Sequence, residues 1–334
     1  MLTRPDDLTD AVLLDALSKK WRLAVASLEY RAVGFGSHHW VADDVGGRRW
    51  FLTADELASS GTSSDDERRT FGHLAAALGT ARRLKDSGAA FVVAPVPAGD
   101  GEILHQVRER FALALYPYIE GRCHVWGEYQ SAPDRLEVLG LIVAVHASPG
   151  EVTRDTLLDD FRIPHRDELV RALGDLARPW RGGPFAEPGR SLLARHADGV
   201  GQLLGQYDRR VDDARARGER FVLTHGEPHV ANLIRSESGW MLVDWDTAMM
   251  APPERDLWLL DSGDGQVLGA YAEATGTAVS SSLIDLYRIR WDLADLAIYV
   301  TQFRGPHAET EDDQESWKNL NTVLDRVRGR STPA

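Results

Sequence analysis

FVLTHGEPHVANLIRSESGWMLVDWDTAMMAPPERDLW, residues 221–258, is the stretch that decides the fold. At its centre stands His225-Gly226-Glu227. Asn232 follows five residues after the acid, and Asp244-Trp245-Asp246 begins twelve residues after Asn232. A carboxylate, an amide five residues on and further acids past a turn suit phosphoryl transfer. One carboxylate orients or deprotonates a hydroxyl, while the amide oxygen and a second carboxylate hold the cations that bridge nucleotide phosphates. The flanking residues predict strands. Phe221-Val222-Leu223, Asn232-Leu233-Ile234 and Trp240-Met241-Leu242-Val243 are short apolar runs, and Glu237-Ser238-Gly239 is a turn between the last two. The acids then fall on loops at strand ends, where side chains converge on a ligand.

This segment resembles the catalytic and metal loops of the aminoglycoside phosphotransferase family, relatives of protein kinases that phosphorylate small molecules. The family's usual His-Gly-Asp is here His225-Gly226-Glu227. The tail, Asp244-Trp245-Asp246 followed by Ala251-Pro252-Pro253-Glu254-Arg255-Asp256-Leu257, is similar to the spectinomycin phosphotransferase branch. The resemblance implies an α+β, bilobal, protein-kinase-like fold, with a β-rich N-terminal lobe and a mostly helical C-terminal lobe. It further implies Mg2+, ATP or GTP as phosphoryl donor, a hydroxylated, amine-bearing small-molecule substrate and a link to antibiotic resistance.

The composition bounds this reading. At 334 residues, 43% of them hydrophobic, the chain has enough apolar material for one large domain or two lobes. Its single cysteine, Cys123, excludes an intrachain disulfide and fits a reducing compartment. The N-terminus MLTRPDDLTD has no signal-peptide core, and the run from Phe111 to Ile119 is too short to span a bilayer. The expectation is a cytoplasmic protein without a membrane partner. A net charge of −13 argues against nucleic acid. It suits steering of a cationic substrate as well as it suits solubility.

Working outward, Leu8–Trp21 reads as a helix with Thr9 or Asp10 as cap. Leu23–Val33, Ser37–Ala42 and Arg49–Thr53 are β-type runs, and Asp65–Lys85 is an amphipathic helix with Gly88 beyond it. Phe91–Val96, Ile103–Val107 and Phe111–Leu115 follow. The pattern is that of a five-stranded, one-helix small lobe over residues 1–116. Tyr116–Gly121 breaks it and reads as a hinge (117–121) or as a turn with a buried Tyr. Residues 122–334 then form the helical lobe, with helices over Pro133–His146, His165–Ala177, Arg190–Arg217, Val267–Glu273, Ser281–Phe303 and Trp317–Val327 and a loose terminus.

By the resemblance, Glu227 is the catalytic carboxylate, and Asn232 and Asp244 are metal ligands with Asp246 beside them. His225 and Asp256 support the loop. Gly34, Gly36 and Ser37 lie where a phosphate-covering turn belongs, although an ordinary hairpin carries the same glycines. Pro117 offers a carbonyl, and Ile119 an N–H, to a nucleotide base. The largest departure is Thr53, which stands where the family places a Lys on the α- and β-phosphates; Arg48 or Arg49 is a candidate substitute cation. His229, Asp246, Asp292 and Asp295 are candidate substrate residues. Asp292 and Asp295 share a helix face that reads either as an amine site or as a solvated surface. Two rival functions remain from the sequence: a catalytically silent kinase-fold binding protein, favoured by Thr53, and a housekeeping metabolite kinase.

Overall fold

A computed structural model of the chain describes residues 1–57, 64–127 and 131–331. The N-terminal part contains α1 (Asp10–Trp21), β1 (Val25–Arg31), β2 (Ser37–Asp44), β3 (Arg49–Glu56), α2 (Ser64–Asp86), β4 (His105–Val107) and β5 (Phe111–Pro117). The five strands form one antiparallel sheet in the order β1-β2-β3-β5-β4. Strand alternation divides its faces. Trp40, Ala42, Leu52, Ala54, Phe111, Leu113 and Leu115 point one way and pack with Leu13 and Leu17 of α1 into a water-free core. Thr53, Asp55 and Tyr116 point the other way and remain partly accessible. The same alternation that builds the core therefore aims three polar groups at a common face.

The expected strand at Phe91–Val96 is not part of this sheet. Val92 makes a single parallel bridge to Leu242, with Val93 N–H donating to Leu242 O and Leu242 N–H donating to Phe91 O. The apolar run is real, but its first half bonds to Leu242, while the Val96 N–H at its end donates to the Leu115 carbonyl of β5 at 2.6 Å without forming a strand of the sheet. The β4–β5 pair completes the five strands instead.

The rest of the described chain runs β6 (Arg122–Cys123), α3 (Ala132–His146), α4 (Gly150–Thr153), α5 (Arg166–Gly174) and α6 (Ala186–Arg217). The catalytic segment supplies β7 (Val222–Thr224), a 3-10 turn at Val230–Asn232, β8 (Leu233–Ser236), β9 (Gly239–Leu242) and β10 (Met249–Ala251). Helices α7 (Glu254–Leu260), α8 (Gln266–Thr275), α9 (Ser281–Arg304) and α10 (Glu311–Ser331) close the chain. The C-terminal part is thus mostly helical, as expected. The last helix starts six residues before the expected Trp317, because Thr310 and Asp313 exchange cap hydrogen bonds at its start. Residues 332–334 of the expected loose terminus lie outside the described residues.

The chain forms two compact units, residues 1–158 with 221–279, and residues 159–220 with 280–334. The first unit contains the five-stranded sheet together with the whole catalytic segment. The second is a helical bundle of α5, α6, α9 and α10 with an aromatic cluster in which Phe185 and Trp317 pack around the buried Phe303. Among the described residues no helix is long and apolar enough to cross a membrane.

Candidate active site

The catalytic segment is built on two small pairings. β7 pairs with β10, and β6-β8-β9 form a three-stranded sheet. The turn between β8 and β9 ends at Gly239, whose φ of 115° a side chain would resist. These strands deliver the His225–Asn232 loop from one end and Asp244 from the other.

Asp256, fully buried at the start of α7, organises the loop. Its Oδ2 accepts from His225 N–H at 2.9 Å and its Oδ1 from Gly226 N–H at 2.6 Å. His146 of α3 adds a third contact, its Nε2 lying 3.1 Å from Oδ2, while its Nδ1 lies 2.9 Å from the Tyr271 hydroxyl. Burial alone would raise the carboxyl's pKa; the hydrogen bond and charge of His146, then Arg255, bring it below its ordinary 3.8. Arg255 bonds the Thr224 hydroxyl and the Thr247 carbonyl, and its guanidinium lies flat beneath Gly226. A Cβ at Gly226 would fall 2.4 Å from Arg255 Nη1, and its φ is 101°, so both space and backbone require glycine.

His225 is buried and works as a brace. Its Nε2 bonds the Val243 carbonyl at 2.8 Å, which needs Nε2 protonated, and its Nδ1 then accepts the Glu227 N–H at 3.2 Å. Burial pushes its pKa down to about 4, so one neutral tautomer satisfies both bonds near pH 7. The ring packs edge-on against the buried Trp245 at 4.6 Å.

On this frame Glu227, Asn232, Asp244 and Asp246 come together. Asn232 Nδ2 donates to the Glu227 carbonyl at 3.0 Å and lies 3.3 Å from His229 Nε2, so its Oδ1 is the atom it can offer a cation. His229 Nε2 is 3.7 Å from Glu227 Oε2. Burial works to raise the Glu227 pKa, but the His229 hydrogen bond and charge outweigh it and hold the acid below its ordinary 4.5. Asp244 sits in the left-handed region at φ 65°, a conformation that costs a non-glycine residue energy and clusters at functional sites. Asp244 and Asp246 are exposed by area, and it is the protein atoms packed near their carboxyls, with the charges of Glu227 and Asp55, that push the Asp244 pKa up to about 7 and Asp246 up as well.

Asp55 was not legible as a site residue. It lies two positions after Thr53 on the same face of β3 and accepts a short hydrogen bond from the Ser37 hydroxyl at the end of the glycine turn. Burial pushes its pKa up to about 6. Tyr116, on the same face of the neighbouring β5, is raised by burial and by the charges of Asp55, Asp244 and Asp246. Thus the face that lacks the family's Lys carries added negative charge. Arg49 does not fill the gap: it pairs with Asp43 and Glu120 and covers the Tyr118 ring at the start of β3.

A divalent cation fits this donor set. Among the described residues no three His, Cys, Asp or Glu side chains form a ready-made cage. Mg2+ does not need one, since it is held by one or two carboxylates and keeps waters and phosphate oxygens. Carboxylates crowded enough to raise one another's pKa are relieved by such an ion.

Gly34 and Gly36 have φ of 72° and 97° in the β1–β2 turn. Pro117 ends β5. Tyr118 N–H donates to Arg49 O, so the adjacent Trp50–Pro117 pair is a non-hydrogen-bonded one and the Pro117 carbonyl points away from β3. Ile119 lies past the end of the strand.

Asp292 and Asp295 are a correction. They do share a face of α9, but in the helical unit that face packs on α10. Asp292 is 2% exposed and pairs with Arg326 and Arg330, each at 2.7 Å, and Asp295 pairs with Arg326 at 3.3 Å. Arginines more than thirty residues away occupy the acids, so this seam holds the bundle together rather than presenting an open amine site.

The sequence from residue 29 to residue 291 matches the family model described as "phosphotransferase enzyme family". The chain belongs to this family. The phosphotransferase is 34% identical over 279 residues to Protein StrN of Streptomyces griseus, covering 78% of this chain and 80% of that one. Its fold is similar to that of spectinomycin phosphotransferase APH(9)-Ia, solved with ADP and spectinomycin, at a TM-score of 0.70 and 16% identity, over 96% of this chain and 98% of that one. It is also similar to amicoumacin kinase hAmiN, solved with AMP-PNP, Ca2+ and Ami, at a TM-score of 0.60 and 12% identity, over 97% and 95% of the two chains. The phosphotransferase therefore has the kinase-like fold that residues 221–258 predict.

Loss of the Asp256 carboxylate gives the largest stability effect expected in this frame. Asp256→Ala strands two buried N–H groups and His146, each at about 1–3 kcal/mol, so a loss of about 3 kcal/mol or more is expected in urea unfolding. The folded pKa lies below 3.8, so the contribution is full above that value and fades as pH falls through the folded one. The destabilisation should accordingly shrink in acid. A variant within about 0.5 kcal/mol of the parent at pH 7 would show that the loop holds without Asp256.

Proposed function

We infer that this phosphotransferase is a small-molecule kinase that moves the γ-phosphoryl group of ATP or GTP to a hydroxyl of an amine-bearing, hydroxylated compound. The observation that carries the reading is the frame of Asp256, His225 and Gly226, which sets Glu227, Asn232 and Asp244 at one place. Glu227 is the group for the acceptor hydroxyl. Its lowered pKa keeps it ionised, so it accepts that hydrogen bond and can take the hydroxyl proton as the phosphoryl group arrives, in a transition state that asks above all for positioning. Asn232 Oδ1 and Asp244, with Asp246 beside them, would hold Mg2+, which when bound neutralises phosphate charge. The glycine turn at Gly34–Ser37 and the backbone at Pro117 and Ile119 are assigned to the nucleotide, and Thr53 supplies at most a neutral hydrogen bond.

The likeness to a phosphotransferase solved with spectinomycin and the acidic site support a cationic, hydroxylated acceptor. The test is purified protein with Mg2+ and ATP or GTP against a panel of hydroxylated amines, read as a mass gain of one phosphoryl group. Failure to phosphorylate any member, with a Mg2+-dependent thermal shift by nucleotide retained, would favour the silent-binder reading that Thr53 suggests.

Position 53 gives a second check. Thr53→Lys places an ammonium on the face shared with Asp55. Mg-ADP affinity by calorimetry should lie between unchanged and about tenfold tighter, the latter being ~1.4 kcal/mol. A loss greater than tenfold would mean that position 53 does not face the phosphates.

A further inference from the structure

The segment after the hinge carries an exposed indole to the edge of the catalytic loop. Gly121 presses against β8; a Cβ there would fall 2.6 Å from Ile234 Cγ2 and 2.7 Å from the Arg235 carbonyl. Arg122 and Cys123 then pair with Arg235 and Ile234, and His124 packs on Trp240 at 5.4 Å. Trp240 is in turn fixed by its Nε1 bond to Glu137 and by the Arg235 guanidinium over its ring. The base of the segment is therefore rigid, and it ends in Trp126.

All ten tryptophans lie among the described residues, and Trp126 is the exposed one, at 57%. Leaving so much indole in water forgoes about 25 cal/mol for each Å² of apolar surface. Its ring stands edge-on to His229, with centroids 4.6 Å apart at 84°. His229 Nε2 is in turn 3.7 Å from Glu227 Oε2 and 3.3 Å from Asn232 Nδ2. One imidazole thus separates an accessible aromatic face from the acid assigned to the acceptor hydroxyl.

We propose that Trp126 is a specificity-determining residue of the acceptor site, where its indole face stacks on a saturated, hydroxylated ring bearing a protonated amine. Such a ring presents C–H groups to the π-face on one side and hydroxyls on the other. Its ammonium is attracted both by the indole and by the neighbouring carboxylates. A ring laid on Trp126 turns a hydroxyl toward Glu227, whereas a short acyclic amino alcohol is too small to cover the indole and reach the acid together. This inference rests on the kinase reading above and narrows its substrate class to ring amines.

The test is steady-state kinetics on the full chain with Mg-ATP, using spectinomycin and 2-deoxystreptamine as ring amines and choline and 1-amino-2-propanol as acyclic ones. The parent should phosphorylate a ring amine. Trp126→Ala should raise its KM about tenfold or more, with kcat within about twofold. Trp126→Phe should restore most of the loss, and Trp126→Leu, which keeps apolar bulk without the π-face, should not. An unchanged thermal shift by Mg-ADP in each variant separates this from a structural defect. If a ring amine is phosphorylated and Trp126→Ala keeps the parental KM, or if only the acyclic amines are turned over, the assignment of Trp126 is overturned and the kinase reading stands. If the parent phosphorylates none of the four, the kinase reading fails for this class and this inference falls with it.

Discussion

Asp244→Asn should leave the fold intact and remove phosphoryl transfer almost completely. Asp244 lies at φ 65°, and Asn is among the few residues that tolerate the left-handed region, so the substitution does not disturb the loop. The electrostatic argument points the same way. Enclosure and the charges of Glu227 and Asp55 raise the Asp244 pKa to about 7, which means that the ionised form is disfavoured without a cation. Replacing it with a neutral amide should keep or slightly raise the melting temperature of the free protein. Function moves in the opposite direction. If Asp244 holds the cation, its loss removes an ion that would supply several kcal/mol of charge stabilisation in the transition state, so turnover should fall about 10³-fold. The Mg2+-dependent part of nucleotide binding should fall with it. Parental turnover in a folded Asp244→Asn protein would remove Asp244 from the metal site, and a lower melting temperature would show that its carboxylate has a structural partner.

His225, Glu227, Asn232 and Asp244 could be put forward as a candidate set from the sequence because they sit within twenty residues of one another, between short apolar runs whose turn is fixed by Gly239. The helices α2, α6 and α9 were legible for the same local reason, a sustained apolar periodicity. What escaped depended on distant partners. Asp55 becomes a site residue only when β3 lies beside β2 and β5, although the alternation from Thr53 already put the two on one face. His146 reads as the end of a helix until Asp256, 110 residues later, is set against its Nε2 at 3.1 Å. Asp292 and Asp295 read as an open acidic face because Arg326 and Arg330 enter from another helix. Phe91–Val96 has strand composition, but its backbone bonds divide between Leu242 and, through Val96, Leu115 of β5.

Glu227→Gln separates positioning from charge at the acceptor hydroxyl. The side chain keeps its length, and His225 still receives the residue-227 N–H, so the loop should be undisturbed. What disappears is the negative charge that His229 lies 3.7 Å from and that accepts the substrate's O–H. A neutral amide oxygen still accepts a hydrogen bond but does not take the proton as the phosphoryl group arrives. General-base contributions are typically 10²–10⁴-fold, so kcat should drop about 10²-fold or more while Mg-nucleotide affinity changes little. Glu227→Asp supplies the complement. It keeps the charge and withdraws it by about 1.5 Å, roughly one carbon–carbon bond, so partial activity is expected, limited by reach rather than chemistry. The ordering parent, then Asp, then Gln is what a charge acting on the hydroxyl requires. A metal ligand at position 227 would instead weaken Mg-nucleotide binding in the Gln variant. A Gln variant with parental kcat on a phosphorylated substrate would move the base to another residue, with His229 the nearest candidate.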